Sequence, residues 1–152
     1  MKYLLTVSAI LLFALTGFSQ DHNAEIEVEQ KINDLFMAMK TSDSIMINTI
    51  FTEDVTLKST FTTKDGQTMI HQGNVKEFID AVSKPKTDIW DERISNLTIL
   101  VDDNLALAWM NYSFFLNDKF SHCGVNAIEL VKFDNGWRIT NLTDTRRKES
   151  CE

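Results

Sequence analysis

Three consecutive runs, LALAWMNYSFFL (105–116), NDKFSHCGVNAIELVKF (117–133) and DNGWRITNLTDTRR (134–147), decide how this chain folds. Within each, the side chains follow the two-residue period of a strand, whose successive residues point to opposite faces. Asn117-Asp118-Lys119 and Asp134-Asn135-Gly136 separate the runs with residue types that favour tight turns. Upstream, Ile89 to Val101 keeps the same period and turns at Asp102-Asp103-Asn104. The spacing predicts four antiparallel strands, Ile89–Val101, Leu105–Leu116, Phe120–Phe133 and Trp137–Asp144, joined as a meander.

Before the meander the period changes. From Ala24 to Lys40, Val28, Ile32, Leu35, Phe36 and Met39 recur at helical spacing, and Glu25, Glu27 and Glu29 favour the positive end of a helix dipole. Thr41-Ser42-Asp43 offers N-cap types for a second helix over Ser44 to Phe51. Val55 to Phe61 and Thr68 to His71 read as a short hairpin turned at Lys64-Asp65-Gly66-Gln67. Asn74 caps a third helix that carries Val75, Phe78, Ile79 and Val82 and is stopped by Pro85. Helices gathered ahead of a continuous antiparallel sheet predict an α+β domain with the helices on one face. In Leu105–Leu116, Leu107 and Trp109 share one face, while Ala108, Met110, Tyr112 and Phe114 make the other apolar as well. Both faces need cover, so the expectation is a homodimer through the sheet, with helices on the remaining side.

The 152 residues suffice for one domain with a core, and a net charge of -7 without a basic stripe argues against a nucleic-acid partner. Lys2 followed by the apolar run Leu4 to Leu15, with small Gly17 and Ser19 behind it, has the layout of an export signal. Residues 1–19 are therefore expected to be removed after position 19 or 20. That leaves a single domain over 24–152, periplasmic or secreted, with no membrane partner after cleavage. Two cysteines remain, Cys123 and Cys151. An oxidising compartment favours a disulfide between them. A reactive thiol at Cys123, activated by His122, is the other reading of the same residues.

The order of elements, together with Trp109-Met110-Asn111-Tyr112-Ser113-Phe114, Ser121-His122-Cys123-Gly124, Trp137-Arg138-Ile139 and Asp144-Thr145-Arg146-Arg147, resembles the nuclear-transport-factor-2-like superfamily. The likeness is to its small exported bacterial members of polyketide-cyclase-like or lumazine-binding type, and it covers the chain from Ala24 to Cys151. The resemblance implies a cystatin-like cone: a curved antiparallel sheet wrapped around the N-terminal helices, with an apolar pocket at its open end. It also implies a range of activities, from isomerases and dehydratases to plain binding domains, so function has to come from the site.

Candidate site residues follow from the strands. His122 and Asp144 lie on neighbouring strands, where an aspartate could orient a histidine as general base and raise its pKa. The simplest register places position 122 near 148, four residues beyond Asp144, and a polar strand-end histidine is the plainer reading. Trp109, Asn111 and Ser113 share one face and would make an aromatic wall with two hydrogen-bonding groups; Asn126 would add an amide. If that face is not concave, Trp109 is core and the polar pair meets water. His71 and Asp54 read as surface and turn residues. No metal is expected, because the three histidines are scattered and no HxH, CxxC or HExxH spacing occurs. No cofactor is expected either, because neither GxGxxG nor a Walker loop is present. The function expected is thus an exported binding domain for a small apolar or heteroaromatic molecule in the cone. The alternatives are an isomerase, cyclase or dehydratase using His122 or Asp144, and a dimeric interaction module with a filled pocket.

Overall fold

A computed structural model describes residues 3–84 and 87–151, with side chains from residue 22 onward. Residues 1–19, expected to be an export signal, therefore lie outside the residues whose side chains are described, as does Pro85. The helix expected over 24–40 is part of α1 (Tyr3–Thr41). Val28, Ile32, Leu35, Ala38 and Met39 are buried along one stripe. Among the described residues no helix is long and apolar enough to cross a membrane.

α2 (Ser44–Ile47) is shorter than expected. Asp43 Oδ1 caps it, accepting from the backbone N–H groups of Ile45 and Met46 at 2.9 Å each. Phe51 leaves the helix because strand pairing claims it: the Ile139 N–H donates to the Ile50 carbonyl at 2.8 Å, and Phe51 aligns with Ile139. β1 (Phe51–Thr62) and β2 (Thr68–Gly73) form the expected hairpin. α3 (Val75–Ser83) is capped by Asn74, whose Oδ1 accepts from the Glu77 N–H at 3.1 Å.

The meander forms as β3 (Trp90–Asp102), β4 (Leu105–Leu116), β5 (Lys119–Phe133) and β6 (Gly136–Arg146). Asn117 and Asp118 both take positive φ at the β4–β5 turn, the conformation of a type I′ hairpin. Six strands join in the order β2-β1-β6-β5-β4-β3, with every pairing antiparallel except β1 with β6. The expected meander is antiparallel throughout, and the parallel pair joins it to the β1–β2 hairpin. The meander's last strand leaves a free edge, and the β1–β2 hairpin occupies it.

The sheet bends where one strand carries extra residues. Register shifts fall at Ser95/Thr98 on β3, at Phe114/Phe115 against β5, at Glu129/Leu130 against β6 and at Phe51/Thr56 on β1. Bulges of this kind increase local twist and turn a flat sheet into a trough. α1 lies in that trough and is pinned at two points, Glu27 and Lys40. Glu27 Oε2 accepts from Lys132 Nζ at 2.7 Å and from Trp137 Nε1 at 3.0 Å. Lys40 Nζ meets buried Asp91 at 3.0 Å, and Arg93 meets the same carboxylate at 2.8 Å.

Cys123 and Cys151 are joined as a disulfide across 28 residues, with a Cα–Cα distance of 5.8 Å. The bridge ties the tail to β5, where Cys123 and Arg147 also exchange backbone hydrogen bonds at 2.9 Å each. Cys151→Ser is expected to keep the fold but lower its unfolding free energy by about 3.5 kcal/mol in a denaturant titration. Equal stability of variant and wild type would mean that the bridge does not restrict the unfolded chain.

Candidate functional site

β4 decides which side of the sheet is hollow. Ala106, Ala108, Met110 and Tyr112 are buried on the face that takes the helices, whereas Leu105, Leu107 and Trp109 are exposed on the other. The bulky indole of Trp109 goes to the outer face. This corrects the expected aromatic wall. Trp109, 56% exposed, borders a shallow outer groove, and Asn111 and Ser113, of the same strand parity, do not line the cone.

The cone itself is not filled. A cavity of about 570 Å³ lies between α1, α3 and the inner face of the sheet, within the size range of small-molecule sites. Its apolar walls come from Leu35, Phe36 and Met39 of α1, Phe78 of α3, Phe51 and Leu57 of β1, and Trp90, Phe114 and Leu142. His71, Asn74 and Glu77 are exposed members of the lining. His71 is thus at the surface as expected, and borders the cavity as well. Asp54 does not line it.

One end of the cavity is polar. His122, Asn126 and Asp144, all singled out in the sequence, line it together with Glu92 and Arg146. The arrangement grows from register: Asn126 pairs with Asp144 across β5 and β6, Tyr112 with Gly124 and Phe114 with His122 across β4 and β5. Gly124 is the opening in this wall. A Cβ there would collide with the Thr145 backbone carbonyl, so only glycine lets the strands approach this closely. Tyr112 reaches across from β4 to β6, its Oη standing 3.0 Å from Asp144 Oδ2 and 2.9 Å from the Thr145 carbonyl oxygen. Arg146 Nε donates to the same Oδ2 at 2.8 Å. Asp144 is 5% exposed, and its Oδ1 is buried without a hydrogen-bond partner.

Asp144 is therefore turned toward Tyr112 and Arg146 and not toward His122, so the expected aspartate–histidine hydrogen bond is not made. His122 instead pairs its Nδ1 with Ser121 Oγ at 3.0 Å and packs against the rings of Phe114 and Tyr112. Burial, with Arg146 nearby, lowers its pKa despite the opposing pull of Asp144, which reverses the expected direction.

Glu92 is the residue that the sequence reading missed. Its Oε1 accepts from Asn126 Nδ2 at 2.7 Å. The side chain is half-buried and borders the cavity. Burial pushes its pKa up to about 7; Asp144 adds to the rise, while Asn126 and Arg146 oppose it. Burial, reinforced by Asp144 and Glu92, likewise raises the Tyr112 pKa, so the phenol remains a donor. A signal was present: Trp90, Glu92 and Ile94 share one strand parity, and an acid among apolar residues of that parity points inward. Among the described residues no group of His, Cys, Asp and Glu is arranged to hold a metal ion.

The glutamic acid carries a pH signature. Its pKa in the fold lies above the ordinary 4.5, so the proton is held more tightly when folded. The associated stability is fully present below pH 4.5 and is lost as pH rises to about 7. Glu92→Gln is expected to be about 2–3 kcal/mol more stable relative to wild type at pH 8.5 than at pH 4.5. Denaturant titrations at the two pH values check this; the same difference at both would place Glu92 in an ordinary aqueous setting.

With this geometry in place, comparison with known proteins becomes informative. A family model described as "Putative lumazine-binding" matches residues 23–143. No curated protein matches the chain in sequence. A protein of unknown function from Mycobacterium tuberculosis superposes with a TM-score of 0.67 at 16% identity, over 88% of this chain and 77% of that one. A nuclear-transport-factor-2-like protein with a cystatin-like fold from Novosphingobium aromaticivorans superposes at 0.63 and 14% identity, over 91% and 90%. A structure described as a "Putative Scytalone Dehydratase" from the same species gives 0.63 and 13%, over 85% and 88%. At these identities the likenesses show a shared fold.

Proposed function

Because this chain belongs to the family described as putative lumazine-binding, within the nuclear-transport-factor-2-like superfamily, we propose that it is an exported domain that holds a small heteroaromatic molecule in its cone. The observation that carries this reading is the composition of the cavity. About 570 Å³ of space is walled by aromatic and aliphatic side chains and ends in a small set of hydrogen-bonding groups. Flat rings bury well against Phe36, Phe78 and Phe114, and the polar end fixes their orientation.

Export is part of the proposal, supported by the apolar run at Leu4 to Leu15 behind Lys2 and by the Cys123–Cys151 bridge. So is pairing with a second copy through the outer sheet face, where Leu100, Leu105, Leu107 and Trp109 are exposed. Native mass spectrometry of the protein recovered from outside the cytoplasm tests all three elements. The expected result is twice the mass of a chain starting after residue 19 or 20, plus the mass of a bound small molecule. An intact N-terminus, a monomer, or a ligand-free protein that also fails to bind added lumazine would each remove the corresponding element.

A second reading is supported by Glu92 and Asp144. Two carboxyls in one cavity, one of them with a pKa near neutrality, suit an acid–base reaction of isomerase, cyclase or dehydratase type. On that reading Glu92→Gln and Asp144→Asn each lower turnover of a bound substrate by at least about a hundredfold while the fold is retained. Unchanged turnover would leave binding as the sole role.

A further inference from the structure

Asp91 and Asp144 are the buried acids among the described residues, and each has a cation. Asp91 meets Lys40 at 3.0 Å and Arg93 at 2.8 Å, and Asp144 meets Arg146 at 2.8 Å. Glu92, half-buried beside Asp91 on β3 and bordering the cavity, has no such partner among the described residues. Its hydrogen bond comes from a neutral amide, Asn126 Nδ2. His122 supplies no counter-charge, because burial and Arg146 hold its pKa below the ordinary value.

Aromatic side chains surround this carboxyl. Glu92 aligns with Phe114 across β3 and β4, and Trp90 shares its strand parity two residues earlier. Trp90 and Phe114 line the cavity together with Phe36 of α1 and Phe78 of α3. The cavity thus combines an acid without a cation and a wall of rings whose faces carry negative potential.

We infer that the cavity takes a flat aromatic cation, a protonated amino-substituted nitrogen heterocycle, with an N–H donating to Glu92 and the ring lying among Trp90, Phe114, Phe36 and Phe78. The inference rests on the binding reading above and narrows its ligand class. An N–H that carries the charge makes a charge-assisted hydrogen bond to a carboxylate, about twice as strong as a neutral one. The ring faces attract the same charge. A neutral ring obtains neither contribution, and a ligand carboxylate would set a further negative charge beside Glu92 and Asp144. The Glu92 pKa agrees with this: burial raises it, and Asp144 adds to the rise more than Arg146 opposes it, as for a carboxyl short of a cation.

Three bicyclic probes of similar size test this on the full chain by calorimetry at pH 8: 4-aminoquinoline, a cation at that pH; quinoline, which is neutral; and 2-naphthoate, an anion. 4-Aminoquinoline is expected to bind about tenfold or more tightly than quinoline, and 2-naphthoate most weakly. In Glu92→Gln the preference for 4-aminoquinoline is expected to fall to about threefold or less, with quinoline still bound as in wild type. Equal binding of 4-aminoquinoline and quinoline by the wild type would overturn the inference and leave the binding reading standing. Tightest binding of 2-naphthoate would overturn it in favour of recognition by Arg146. A preference retained by Glu92→Gln, or loss of quinoline binding in that variant, would overturn the assignment to the Glu92 charge. Binding of none of the three would overturn the inference and, if added lumazine also fails to bind, the binding reading with it.

Discussion

The packing of α1 into a bent sheet is the constraint on which the rest depends. Val28, Ile32, Leu35, Ala38 and Met39 have to be covered, and a flat sheet cannot wrap them. Extra residues in β1, β3, β5 and β6 supply the bend, and ties at Glu27 and Lys40 hold the helix along the trough. The helix comes nearest the sheet along β3. Farther along, where Phe114, Leu142 and Phe78 line the walls, they diverge, and the space between them is the cavity. The hollow is a geometrical consequence of covering one helix with a sheet wider than itself.

The polar end of that hollow is held together by a few demanding contacts. Gly124 lets β5 and β6 approach, Tyr112 crosses to Asp144, and Arg146 supplies the balancing charge. A buried carboxylate with one oxygen accepting two hydrogen bonds and the other none is costly for a fold that merely has to be stable. Placing a second carboxyl, Glu92, in the same low-dielectric space compounds that cost, and the raised pKa is its expression. Strain of this kind is what binding and catalytic sites carry.

Much of this was legible in the sequence, and the reasons for the rest are specific. The two-residue period from residue 89 onward and the turn residues at 102–104, 117–119 and 134–136 were enough for the meander, since β4 falls at its expected bounds and β3, β5 and β6 within a few residues of them. Phe51 was assigned to a helix because local spacing suited one; pairing with Ile139, eighty-eight positions away in the chain, decided otherwise. The parallel β1–β6 contact has no local signal at all. His122 and Asp144 can be brought near each other from the sequence because strand neighbours can be counted from turns, and both line the cavity together with Asn126. Trp109 was misplaced because alternation gives two faces without saying which one is concave. Glu92 was passed over because an acid in a strand looks like a solvated residue until its parity is compared with Trp90 and Ile94.

The account stands or falls on whether the end of the cone is a dry, hydrogen-bonding site and not a water-filled rim. Carbon-13 NMR of the Glu92 side-chain carboxyl, followed against pH with and without added lumazine, asks this directly. A titration midpoint near 7 in the free protein, moving upward when the ligand binds, is the predicted result. A midpoint at the ordinary 4.5, unmoved by ligand, would contradict it.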